Sequence, residues 1–250
     1  MTFGAKGSVA LVTGGTRGIG RAVSLALAAA GVDTVILNYL QDEASAASTQ
    51  RELESRSARS DLVKANLASP DEIDRLFATV AASHPRLDYF VHCAALGAFK
   101  PLLDTRPNQW DLTMNINARG FLLCAQHAAR LMQGGAMVAV SSLGSTRAIP
   151  NYGAMGPTKA ALEAVVRQLA VELATRGIRV NAVTGGLVDT ISIQKFPDAE
   201  KRREESIRRT PAGRIGTAEE IADAILFLLS PAARWIYGHT LVADGGFCLL

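Results

Sequence analysis

The 250-residue chain is 48% hydrophobic, enough to bury a substantial core, and one domain spanning 1–250 is the expectation at this length. Its net charge of +3 is near balance, and Lys and Arg are scattered rather than gathered into a stripe that would track phosphates, which argues against a nucleic-acid partner. Cys93, Cys124 and Cys248 are odd in number and far apart, which argues against a disulfide framework or a metal site.

The N-terminal "MTFGAKGSVALVTGG" holds a single Lys and only a short apolar run, and no later stretch approaches the roughly 18 apolar residues of a membrane span. The expectation is a cytoplasmic protein with no membrane partner. Seven short apolar segments then alternate with helical patterns: "SVALVTGG", "DTVILNY", "SDLVKANL", "LDYFVHCAA", "AMVAVSS", "IRVNAVTGG" and "HTLVADGG". Their near-continuous apolar character fits strands covered by helices on both faces. The fold expected is α/β: a Rossmann-type, doubly wound, seven-stranded parallel sheet in a three-layer sandwich.

Between the first strand and its helix stands "TGGTRGIG". In that position Gly14 permits a tight turn, Gly18 lets backbone approach a pyrophosphate, and Gly20 allows close helix–sheet packing. The helix N-terminus offers free N–H groups to the anion. The second strand ends in Asn38 and brings no acid to hold a ribose 2′-OH, while Arg17 in the glycine loop can face a 2′-phosphate. This favours NADPH.

Further along, "SPDE" offers Ser69 as a cap, Pro70 at the first helical position and Glu72 to close a capping box, and "TAEE" repeats the pattern with Thr217 and Glu220. These predict helices near 70–84 and 217–229. Between the second "TGG", at Thr184, and Thr217 lies a long excursion, about 187–216, with a short helical pattern near 198–209. Its length beside strand ends marks it as a candidate lid. Leu187, Ile191, Ile193 and Phe196 supply apolar cover, followed by Arg202, Arg203, Arg208 and Arg209 interrupted by acids, a pattern that reads as a solvated face.

The segment "NYGAMGPTKAALEA" lacks a Tyr four residues before Lys159, where Met155 stands; the nearest Tyr, Tyr152, lies seven before. On a helix four residues turn about 400° and seven about 700°, so both spacings return near one face, the second about 4.5 Å further along the axis. Pro157 tolerates only a first turn, which puts Tyr152 at or just before the helix start.

Together, Gly-x-x-x-Gly-x-Gly, the Tyr-x6-Lys spacing and "SSLGSTRAIPNYGAMGPTKAALEA" resemble the short-chain dehydrogenase/reductase family over essentially the whole chain, and within it the enoyl-acyl-carrier-protein reductases. "WDLTMNINARG", "FPDAEKRREESIRRTPAGR" and "ADGGFCLL", with Ser142 in place of a second Tyr, look most like the FabL type, enoyl reductase III. The resemblance implies NADPH-dependent reduction of a trans-2-enoyl thioester, with Tyr152 and Lys159 as the catalytic pair, Ser142 as a supporting hydroxyl and Asn117 at the family's active-site Asn. Thr16, Ile19, Asn66, Leu67, Cys93, Ala94, Ala95, Gly185, Gly186 and Val188 match cofactor-lining positions, and Thr190 matches a Thr that reaches a cofactor phosphate. His92 and Asn66 depart from the family's usual Asn and Asp.

The chemistry is consistent with that spacing: hydride goes to the β-carbon of a conjugated enoyl thioester, and a displaced Tyr can stabilise the developing enolate oxygen. The resemblance also implies a homotetramer built through helices around 110–133 and 152–176 and the C-terminal strand, acting on substrate carried by an acyl carrier protein or CoA. Arg202, Arg203, Arg208 and Arg209 are candidates for steering an acidic carrier. Two rivals remain open: a ketone or β-ketoacyl reductase in which Tyr152 swings inward, and a catalytically silent NADP-binding protein.

Overall fold

Seven strands, β1 (Val9–Thr13), β2 (Thr34–Tyr39), β3 (Arg59–Lys64), β4 (Leu87–His92), β5 (Met132–Val140), β6 (Ile178–Gly185) and β7 (Thr240–Ala243), form one sheet in a computed structural model that describes residues 3–191, 193–196 and 198–249. Every neighbouring pair is parallel, in the order β3-β2-β1-β4-β5-β6-β7. The order reverses between β1 and β4, which opens a crevice beyond the carboxyl ends of these two strands.

The apolar strand runs are continuous because successive side chains serve opposite faces. Leu11, Ile36, Phe90 and Met137 pack with α3 (Pro70–Ser83), α5 (Gly120–Leu131) and α6 (Met155–Leu173). Their neighbours Val12, Leu37, Val91 and Val138 pack on the other face with α1 (Gly18–Ala29), α2 (Glu43–Ser55) and α8 (Ala218–Leu229). Edge strand β3 alternates exposed and half-buried positions. Among the described residues no helix is long and apolar enough to cross a membrane.

Helix starts follow the local signals with one correction. Thr217 and Glu220 form the reciprocal capping box on α8. At α3, Ser69 Oγ accepts from the Glu72 N–H at 3.4 Å, but the Glu72 carboxylate accepts from the N–H of Asn66 at 2.8 Å. That buckles the β3–α3 loop back onto its own helix, and the box is left half formed. A π-helical turn, Asn115–Arg119, joins α4 (Pro107–Met114) to α5 and lets the chain pass Leu67 closely at Gly120, where a Cβ would sit 2.8 Å from the Leu67 carbonyl oxygen.

The excursion after β6 is closed at its base. Val188 and Gly216 form a β-bridge, with Gly216 N–H donating to Leu187 O and Asp189 N–H to Gly216 O, both at 2.9 Å. Between them lies α7 (Ala199–Arg209); positions 192 and 197 of the predicted lid are outside the described residues.

Buried Arg179 on β6 secures the C-terminus of α8, donating to Leu229 O at 2.8 Å, Ser230 O at 3.1 Å and Ala233 O at 3.2 Å. The last carbonyls of a helix have no intrahelical donor; Ser230 serves those of Leu226 and Phe227, and this guanidinium serves those of Leu228 and Leu229. Arg179→Met, which removes it inside the protein, should cost roughly 2–4 kcal/mol, read as a lower urea midpoint at unchanged m-value.

Candidate active site

The crevice at the switch point is continuous with a cleft of about 670 Å³. Its nucleotide end is shaped by backbone. Gly14 and Gly18 adopt φ of +61° and +52°, left-handed values that glycine reaches without a Cβ clash. A Cβ on Gly20 would overlap the Gly14 carbonyl, so the loop folds against the first turn of α1 only with glycine there.

That helix end has no side-chain cap and no acid in its first turn, whereas α2, α3 and α8 are capped by Asp42, Ser69 and Thr217. Its free N–H groups and positive dipole end therefore suit a pyrophosphate. Thr190 stands beside them, its methyl 3.7 Å from where a Gly18 Cβ would be. Ile19, Cys93 and Ala95 line one side of the cleft and Gly185, Gly186 and Val188 the other. A dinucleotide fits this wall.

Several expected cofactor contacts point elsewhere. Asn38 is buried, and its amide donates to Ala65 O at 3.1 Å and Val63 O at 3.3 Å, stitching β2 to the end of β3. Asn66 Oδ1 accepts from Ala68 N–H at 3.0 Å. Leu67 is buried, Ala94 packs against Gly14, and the Thr16 carbonyl accepts from Thr49 Oγ1 at 3.0 Å. Exposed Arg17 lies near Asp42, whose carboxyl is held low mainly by the Ser45 N–H and hydroxyl, with Arg17 adding a smaller pull. The Asp42 carboxylate accepts those bonds at 3.0 and 2.7 Å and keeps its charge, so Arg17 stands beside one anion there.

At the chemical end Tyr152 sits in the turn before α6, where Asn151 takes φ of +59° and Tyr152 N–H donates to Ile149 O at 3.1 Å. The ring lies flat on Gly144, where any Cβ would collide with it, and runs parallel to Phe196 at 6.2 Å and 8°. Burial raises the Tyr152 phenol above its ordinary value, opposed by the neighbouring Ser142 hydroxyl. It is a neutral donor at physiological pH.

Lys159 is 4% exposed and donates from Nζ to Val140 O at 2.7 Å. Burial lowers it to about 8, while Cys93 and Glu163 pull the other way. It is mostly cationic at neutral pH and lies on the cleft wall with Tyr152, Ser142 and Met155.

Met155 fills the place four residues before Lys159. It is buried, its thioether tight against Gly97 and 3.4 Å from the Asn117 amide. Asn117 is fully buried in the π turn: Nδ2 donates to Leu96 O at 3.0 Å and Thr158 Oγ1 at 3.1 Å, and Oδ1 accepts from Leu96 N–H at 2.9 Å. The side chain clamps the loop after β4 to α6, directly behind Met155 on the cleft wall.

His92 is likewise internal, bonded through Nδ1 to Thr13 Oγ1 at 3.0 Å and kept neutral by burial, its value lowered to about 3. Burial pushes the Cys93 thiol up to about 12, so it is no thiolate nucleophile. Among the described residues no three His, Cys, Asp or Glu side chains gather as metal ligands.

The excursion closes over Tyr152. Phe196 packs on Phe99 at 4.0 Å, and the Arg202 guanidinium lies 4.4 Å above the Phe196 ring. Arg202 also donates to Pro150 O at 3.2 Å, so it faces the cleft rather than solvent. Arg203 and Arg209 form looser pairs with Asp189 and Glu205 at 3.7 and 3.8 Å. Phe99, in the coil after β4, carries no periodic signal and escapes sequence reading; only three-dimensional closure brings it here.

Residues 14–248 match the family described as Enoyl-(Acyl carrier protein) reductase. The chain is 44% identical over 245 residues to the 1-cyclohexenylcarbonyl-CoA reductase of Streptomyces collinus, covering 97% of this chain and 87% of that one. It is 33% identical over 245 residues to the 3-oxoacyl-[acyl-carrier-protein] reductase of a Synechocystis species, at 96% and 97% coverage. A short chain dehydrogenase from Burkholderia cenocepacia, solved in complex with NADP, superposes with a TM-score of 0.90 at 32% identity, covering 97% of this chain and 98% of that one.

Replacing the clamp tests its role. Asn117→Ala leaves both Leu96 backbone groups unpaired and should cost about 1–3 kcal/mol, measured by urea unfolding, with kcat for any accepted substrate falling no more than the folded fraction does.

Proposed function

Because this chain belongs to the short-chain dehydrogenase/reductase family, we propose that it reduces trans-2-enoyl thioesters with NADPH in the biosynthesis of fatty acids or polyketide-like products. The observation that carries this reading is the buried Met155 thioether in the place where ketone reduction needs a proton donor, with Tyr152 displaced seven residues before Lys159. A thioether has no proton to give.

NADP(H) is the cofactor, a reading supported by the NADP complex of the Burkholderia protein and by exposed Arg17 in the glycine loop. When bound, it supplies hydride to the substrate β-carbon. The π electrons of the double bond then shift toward the thioester carbonyl, and negative charge collects on its oxygen. Tyr152 donates a hydrogen bond to that oxygen, and Ser142 orients the phenol. The α-carbon takes its proton from Tyr152 or water. Lys159 holds the cofactor ribose and places positive charge beside the reacting groups.

The Streptomyces relative is named for a substrate of the same chemical kind, since a 1-cyclohexenylcarbonyl thioester has its double bond conjugated to the carbonyl. A ketone-reducing alternative draws support from the Synechocystis relative, but it requires Tyr152 to leave Gly144 and Phe196 and displace Met155. We read the excursion as a lid, with Leu187, Ile193 and Phe196 covering the acyl group. We read the assembly as a homotetramer built through α4, α5, α6 and β7, where Leu112, Val171 and Val242 are exposed.

NADPH consumption by the purified protein decides among these, using crotonyl thioesters of CoA and of an acyl carrier protein, acetoacetyl thioester, and no acceptor. The expected result is turnover of a crotonyl thioester, lowered ~10²–10³-fold in kcat by Tyr152→Phe with little change in NADPH binding. Turnover of acetoacetyl thioester alone sinks the proposal, and no turnover with any acceptor points to a silent binding protein.

A further inference from the structure

One buried carboxylate near the reacting groups has no part in the chemistry above. Glu163 is 6% exposed, four residues after Lys159 on the same face of α6. Its one hydrogen bond comes from the hydroxyl of Ser141, and among the described residues no Lys, Arg or His comes within ion-pair distance. A buried carboxylate is costly where an apolar side chain of the same size would pack.

Its surroundings are informative. Three consecutive residues at the carboxyl end of β5 meet three side chains of the α6 region: Val140 O accepts from Lys159 at 2.7 Å, Ser141 Oγ donates to Glu163, and the Ser142 hydroxyl lies beside the Tyr152 phenol. We propose that Glu163 is a positioning residue whose negative charge, fixed by Ser141 one turn beyond Lys159, keeps the Lys159 ammonium charged and aimed at the cofactor ribose.

Few charges compete for this role. Lys159 is faced by Cys93 and neutral His92 from β4 and by neutral Tyr152 from the turn before α6. From β6 comes only Arg179, turned to the end of α8, and from the π turn only Arg119, bonded to Ala68 O at 2.7 Å. On α5 His127 pairs with Asp74 at 2.9 Å and Arg130 is exposed; on α4 Asp111 is exposed, and further along α6 so are Arg167 and Glu172. β5 brings no ionisable side chain. Burial alone lowers Lys159, and Glu163 is the one carboxylate that opposes it. The sign follows: without this charge Lys159 loses its proton at a lower pH, and the alkaline loss of ribose binding begins earlier.

The test is equilibrium NADPH binding by fluorescence from pH 6 to 9.5, which rests on Lys159 meeting the cofactor and not on which acceptor is reduced. Glu163→Gln keeps an acceptor for Ser141 and removes only the charge. Its affinity should stay close to wild type near pH 6.5, weaken about fivefold relative to wild type at pH 8 and approach ~tenfold at pH 9.5, as for a shift of about one pK unit. Ser141→Ala removes the one hydrogen bond that fixes the carboxylate and should move the alkaline limb in the same direction, by less. If Glu163→Gln does not fold, Glu163→Met is read in the same way. An alkaline limb unmoved in the charge-free variant, or moved further by Ser141→Ala than by Glu163→Gln, overturns the proposal.

Discussion

A parallel sheet obliges every connection to cross from the carboxyl end of one strand to the amino end of the next. All the strand carboxyl ends, and the loops and helix starts that follow them, therefore collect at one edge. In this molecule the glycine turn after β1, the coil after β4, the serines after β5 and the neck after β6 all meet there. The glycines set how closely backbone approaches the ligand at that edge. The uncapped first turn of α1 sets the sign of charge it welcomes.

Within this frame, α6 acts as a ruler laid against the end of β5. Lys159, Glu163 and the turn holding Tyr152 are read off against three successive residues, Val140, Ser141 and Ser142. Moving an aromatic hydroxyl from four to seven positions before the lysine takes it off the helix and into the turn that leads into α6. The vacated place is packed with sulfur and clamped by Asn117 from the π turn. A change of acceptor chemistry is thus compatible with an unchanged scaffold.

The strands and their covering helices were legible because each apolar run serves both faces, and the glycine loop because its φ values demand glycine. Tyr152 and Lys159 were legible as a spacing. The destinations of polar side chains were not. Asn38 and Asn117 look like solvent-facing site residues at strand and helix positions, yet their partners are backbone groups of Ala65 and Leu96, whose placement depends on loop paths that no periodicity encodes. Glu72 turns to Asn66 for the same reason. Arg202 reads as one cation among several, and only the position of Phe196 draws it inward.

The bridge between Val188 and Gly216 ties the base of the excursion to itself. A segment closed at its own neck can change length at an entropic cost that grows only with the logarithm of its size. It can also open locally without unravelling the sheet beneath. The neck thereby separates two requirements: the cofactor edge is bound to the geometry of the core, while the excursion beyond the neck can change in length or sequence at little cost to the sheet.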